Sequence, residues 1–208
     1  MSRILHIDSS PRTADSVTRQ LSQSAIKAVV ARHPQSTVTY RDLAEKPAPF
    51  LTGADLGTMF TPADKRTADQ AALWQGIEST VDEFIAADIY VFGVPMYNFS
   101  VPAAFKAYID RIVVVGKTFS YEGGRPKGLL HSKKAYILVS SGGNYDDPAM
   151  SHLNFHEPYL RTIFGFIGIT DITFFKVHGH SPDEIAKGLA EAKQQIEQTI
   201  AEKTASGV

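Results

Sequence analysis

The 208-residue chain predicts an α/β fold, a five-stranded parallel sheet with helices on both faces. Three observations lead there. Short strand-like runs alternate with longer stretches whose apolar residues recur every three or four positions. A helical pattern follows each of the five runs, the arrangement of a parallel sheet covered on both sides. With 43% hydrophobic and 21% charged residues, a chain of this length suits one sizeable core, so residues 1–208 are expected to form a single domain.

The elements follow in order. "RILHID" (3–8) is the first strand, and Leu21, Ala25, Ala28 and Val29 mark the first helix. "TVTYRDL" (37–43) alternates as a strand, and Trp74, Ile77, Val81, Phe84 and Ile85 give a helical stripe. "DIYVFGV" (88–94) is the third strand, followed by the stripe Val101, Ala104, Phe105, Tyr108, Ile109 and Ile112. "KAYILVSS" (134–141) is the fourth, with Leu160, Ile163, Phe164 and Ile167 on the next helix. "DITFFKV" (171–177) is the fifth, and Ile185, Leu189, Ala192, Ile196 and Ile200 form a closing amphipathic helix. The terminal "TASGV" reads as a loose tail. Five strands favour the flavodoxin-like order 2-1-3-4-5 over a six-stranded dinucleotide-binding sheet.

Two connections, 44–66 and 116–133, are longer than usual and carry large apolar groups: Phe50, Leu51, Met59 and Phe60 in one, Phe119 and Tyr121 in the other. Such residues pack under their loops or form an association surface, and the second reading is preferred. Gly123-Gly124 marks a hairpin tip.

Composition excludes several functions. A net charge of −1 offers no footprint for nucleic acid and no polybasic membrane surface. Without cysteine there is no thiolate nucleophile and no Cys-ligated metal. "MSRILHIDSS" is too short for a signal-peptide core, and the apolar runs fall far below a membrane span, so a cytoplasmic protein is expected. His152 and His156 are spaced i, i+4 on an expected helix, and His178 and His180 flank Gly179. With no HExxH motif they read as surface or hydrogen-bonded histidines, not metal ligands.

In doubly wound sheets the ligand sits beyond the C-terminal strand ends at the topological switch point, so the loops after residues 8, 94 and 140 matter most. The first, "SSPRTADSVT", places Ser9, Ser10, Thr13, Ser16 and Thr18 before a helix N-terminus, a seat for a single phosphate. It lacks the glycines of a dinucleotide grip and the Lys-Ser/Thr pair of an NTPase loop. Capping by Asp15 or Ser16 is the simpler alternative. The second, "GVPMYNFSVPAAFKAYIDRI", puts Pro95, Met96, Tyr97, Asn98 and Phe99 ahead of the helix, where periodicity does not explain them. The third, "SSGGNYDD", has Gly142 and Gly143 where backbone can approach a ligand, or where a tight turn needs positive φ.

These stretches, with "GKTFSYEGGRPKGLL", resemble the FMN-dependent NAD(P)H azoreductases and quinone reductases over essentially the whole chain. The resemblance implies that Ser10, Ser16, Val17 and Thr18 hold the FMN phosphate. It implies that Pro95, Met96, Tyr97, Asn98 and Phe99 line the isoalloxazine, and that Ser140, Ser141, Gly142 and Gly143 bond its pyrimidine edge. Where the family often has Ser-x-Ser, this chain has Ser16-Val17-Thr18, which keeps a hydroxyl. Where some relatives carry Arg, it has Ser141. The implied activity is two-electron, ping-pong hydride transfer through flavin N5 from NADH or NADPH to quinones and azo compounds. No protein nucleophile is required, and Asn98 is the candidate for polarising the flavin. The implied assembly is a homodimer with the active site at its interface, with Phe60, Phe119, Tyr121 and Tyr145 as candidate substrate contacts. A flavodoxin-type electron carrier is the alternative, though such carriers are strongly acidic. A hydrolase lacks its G-x-S-x-G motif here.

Overall fold

The computed structural model describes residues 1–202, so the expected tail at 204–208 lies outside the described residues. The strands are β1 (Arg3–Asp8), β2 (Thr37–Asp42), β3 (Ile89–Gly93), β4 (Phe119–Glu122), β5 (Arg125–Gly128), β6 (Lys134–Ser141) and β7 (Asp171–His178). Five of them form a parallel sheet in the order β2-β1-β3-β6-β7. These are the five strands expected. Their order differs from 2-1-3-4-5 in numbering because β4 and β5, an antiparallel hairpin, intervene in the chain. Gly123 and Gly124 form the hairpin tip with φ of 58° and 77°, a region open to glycine.

The helices are α1 (Val17–Arg32), α2 (Gly53–Phe60), α3 (Ala68–Ala86), α4 (Ala103–Ile112), α5 (Glu157–Phe166) and α6 (Pro182–Glu202). Strand side chains point alternately to the two faces of the sheet. On β3, Ile89 and Val91 join one core, while Tyr90 and Phe92 join the other. Leu21, Ala25 and Val29 of α1, with Ala192, Ile196 and Ile200 of α6, cover the first face. Phe84 of α3, Phe105 and Tyr108 of α4, and Leu160 and Phe164 of α5 cover the second. There the Phe92 and Phe164 rings stack with centroids 5.1 Å apart.

Two expectations need correction. The connection 44–66 is not an irregular loop, since it contains α2. The Thr52 hydroxyl accepts from the Asp55 N–H, and the Asp55 carboxylate accepts from the Thr52 N–H at 2.9 Å, which makes a capping box. Eight residues are too few to show a helical stripe, although Thr52-x-x-Asp55 was there to be read. Arg111 on α4 then grips the buried Asp55 carboxylate at 3.0 and 3.1 Å. Burial works against the charge of Asp55, but Thr52 and Arg111 donate enough to hold its carboxyl below the usual range. The second correction concerns His152 and His156, which do not share a helix. His152 lies in a 3-10 turn and His156 caps α5.

Candidate functional site

The C-terminal ends of β1, β3 and β6 open onto a cleft of about 310 Å³. Ser10, Ser16 and Val17 line it from the first loop, Pro95, Met96 and Tyr97 from the second, and Ser140, Ser141 and Gly142 from the third. Three segments distant in sequence therefore meet at the switch point of the sheet. The sequence reading missed the β7–α6 junction, which adds Val177 near the end of β7, Gly179 and His180 from the loop, and Ile185 from the first turn of α6. Its strand neighbours β6 in the sheet, and that adjacency was the available signal. Arg12 was also missed; it stands at the rim, exposed and ion-paired with Asp15.

The first loop is braced from below. Ser9 turns away from the cleft, and its hydroxyl donates to the Gly93 carbonyl at 2.9 Å. Ser16 is the N-cap of α1, accepting from the Arg19 N–H at 3.3 Å. Capping and ligand binding are compatible here, because the first-turn N–H groups of Val17 and Thr18 have no helical acceptor. The Thr18 hydroxyl is buried against Ser16 Oγ at 3.2 Å, and Thr18 does not line the cleft. Beneath, the Arg19 guanidinium donates to the Ser10 carbonyl at 2.7 Å and to Asp42 on β2 at 2.8 Å. That hydrogen-bonded pairing lowers the Asp42 pKa, so both partners stay charged.

The second loop is strained. Tyr97 and Ser100 exchange backbone hydrogen bonds of 2.9 and 3.1 Å, and the two residues between them, Asn98 and Phe99, have φ of 48° and 70°. Positive φ at both central positions is the geometry of a type I′ turn, which favours Asn-Gly. A phenylalanine in that conformation costs free energy and persists only where its surroundings impose it. The Phe155 N–H donates to the Phe99 carbonyl at 3.2 Å, and Tyr145 meets the Phe99 ring edge-on at 5.9 Å. Asn98 and Phe99 thus lie at the rim; Asn98 faces an adjoining groove shared with Ser100, Pro102, Lys106 and Tyr159.

In the third loop, Gly142 lies under the His180 ring, where an added Cβ would come within 2.9 Å of Cε1. Gly143 packs against Tyr145 instead. Among the described residues neither glycine N–H has a partner, so both are available to a ligand. Phe60, Phe119 and Tyr121 stand apart from the cleft. Phe60 borders a surface groove with Arg66 and Trp74. Phe119 is half-buried between Phe166 and Tyr121.

A family model described as "Flavodoxin-like fold" matches residues 2–200. The chain is 45% identical over 205 residues to a protein of Nostoc punctiforme named FMN-dependent NADH:quinone oxidoreductase, covering 97% of this chain and 100% of that one. A Trichormus variabilis protein of the same name is 44% identical, covering 97% and 99%. The chain belongs to this family of oxidoreductases. Among solved structures, an azoreductase from Bacillus anthracis superposes with a TM-score of 0.84 at 26% identity, covering 95% of this chain and 100% of that one.

The cleft suits the FMN of these NADH:quinone oxidoreductases. A phosphate monoester matches the N-terminus of α1 with Ser10 and Ser16 beside it, and the Gly142 and Gly143 N–H groups, without partners among the described residues, offer donors to the edge of a flat ring. Burial of His156 behind Pro95 holds its pKa down to about 4, so its ring is neutral near pH 7. Desolvation likewise lowers the pKa of His178, which is behind the third loop.

Proposed function

We propose that this oxidoreductase is an FMN-dependent NADH:quinone oxidoreductase that also reduces azo compounds and works as one FMN-binding domain in the cytoplasm. The observation that carries the reading is the meeting of three loops at the switch point: hydroxyls at a helix N-terminus on one side, unpaired glycine N–H groups on the other. FMN, when bound, supplies the redox chemistry, taking hydride from NADH and passing it to the acceptor. The protein binds and orients. Ser10, Ser16 and the N–H groups of Val17 and Thr18 would hold the phosphate, while Pro95, Met96, Tyr97, Asn98 and Phe99 support the ring. Ser140, Ser141, Gly142 and Gly143 would face its pyrimidine edge with donors preorganised for developing charge. NADH is preferred to NADPH as donor because the names of the relatives specify it.

The exposed aromatics favour a homodimer that completes the site. Phe60 is 75% and Tyr121 63% exposed. Large apolar side chains this open to water are candidates for a surface covered by a partner. Phe60, Phe119, Tyr121 and Tyr145 are accordingly assigned to the substrate side, reached in part from a second copy.

Purified protein should be yellow or take up added FMN, and should oxidise NADH with benzoquinone or an azo dye as acceptor. A chain that binds no FMN overturns the reading. FMN binding without NADH turnover would instead make it a carrier of the flavodoxin type.

A further inference from the structure

His178-Gly179-His180, conspicuous in the sequence, flanks the third loop, with Gly179 and His180 lining the cleft. His178 and Ser141 are the last paired residues of β7 and β6. The Ser141 hydroxyl lies 2.8 Å from the Gly143 carbonyl and 2.7 Å from His178 Nδ1. A carbonyl only accepts, so the single hydroxyl proton is committed to Gly143. The short contact to the ring then requires that His178 donate from Nδ1–H. Burial disfavours the charged ring, and the Asp146 carboxylate, 3.9 Å from Nε2, works against that effect without overturning it. Asp146 is itself paired with Lys176 at 2.8 Å. Gly179 extends the ladder one step, donating to the Ser141 carbonyl at 3.2 Å. Both the Ser141 hydroxyl and the Gly143 carbonyl are thus satisfied inward, and the N–H groups of Gly142 and Gly143 remain unspent.

We propose that His178 is a positioning residue for the isoalloxazine, its Nδ1–H pinning Ser141 and through it the Gly142-Gly143 backbone that meets the pyrimidine edge. This rests on the FMN reading of the cleft. His178 touches no ligand itself; it fixes the loop that does. The principle is that of partners that orient a ligating group from behind and so set its affinity.

The test compares two flavins. Riboflavin has the ring but no phosphate, so a defect in the third loop weakens riboflavin and FMN alike, whereas a defect at α1 weakens FMN alone. Dissociation constants are measured by quenching of flavin fluorescence. His178→Leu should weaken both flavins about tenfold, the loss of roughly one hydrogen bond. His178→Asn, whose amide nitrogen can stand where Nδ1 does, should restore binding to within about threefold. In a Ser141→Ala background, His178→Leu should add little further loss, since the pinned hydroxyl is already gone. The proposal is overturned if His178→Leu binds riboflavin as the wild type does, if Asn fails to rescue, or if the two substitutions add independently. A wild-type chain that binds neither flavin overturns the FMN reading itself, and this inference with it.

Discussion

At the α1 end of the cleft Ser9, Ser16 and Arg19 are fixed by neighbours in the same chain, whereas at the Tyr97–Ser100 end the groups face outward and the backbone is strained. Ser9, Ser16 and Arg19 spend their hydrogen bonds on Gly93, the first turn of α1, Ser10 and Asp42. Tyr97 and Phe99 are each about 40% exposed, and Asn98 and Phe99 adopt positive φ. The contrast separates two tasks. On the proposed reading, a phosphate would meet a rigid set of donors complete in one chain, while a flat ring and a changing acceptor would meet an outward-facing surface.

The largest effect expected from breaking the rigid end is that of Gly93→Ala. A Cβ there would stand 2.2 Å from Asp8 Oδ1, a buried atom that also accepts from Ser22 at 2.8 Å. The substitution should cost about 3 kcal/mol, combining overpacking with a displaced buried carboxylate, and urea midpoints will show it. Unchanged midpoints would mean the floor of the cleft is softer than its geometry.

Next comes His156, buried behind Pro95. Its pKa is about 4 in the folded chain against about 6.5 when unfolded. The unfolded chain binds the proton more readily, so the contribution is full above pH 6.5 and is lost as pH falls toward 4. The expected loss is on the order of 3 kcal/mol across that window. His156→Leu should remove this part of the slope; stability–pH curves that run parallel for the two proteins would refute it.

Smaller effects distinguish the ends directly. Ser16→Ala removes a cap worth about 1 kcal/mol and should weaken FMN more than riboflavin. Phe99→Gly should raise stability by as much as about 1 kcal/mol by relieving positive φ, while weakening both flavins. Equal losses of FMN and riboflavin in the first, or lower stability in the second, would erase the division. Phe60→Ser should leave unfolding within about 0.5 kcal/mol, as exposed positions do, and its measurable effect should be on self-association by sedimentation.

The sheet was legible because two-sided burial writes itself as five apolar runs separated by helical stripes, from Ile4 to Ile200. Ser10, Ser16, Met96 and Gly142 were legible because strand ends at a switch point are where ligands sit. What stayed hidden was long-range or conformational. Val177 and His180 reach the cleft only through the order of the strands. α2 was too short to show periodicity. The strain at Asn98 and Phe99 is a backbone angle that no residue type announces. The Arg111–Asp55 pair joins positions far apart in the chain, which single-sequence spacing does not register.

Arg19 carries one last implication. Its guanidinium holds the Ser10 carbonyl with some of its N–H groups and Asp42 on β2 with others, and β2 is an edge strand whose first four residues are exposed. Edge strands are where a sheet frays and where one molecule's backbone pairs with another's. A ligand that steadied Ser10 would therefore also steady the border of the sheet, and by reciprocity a frayed border would weaken the grip on that ligand.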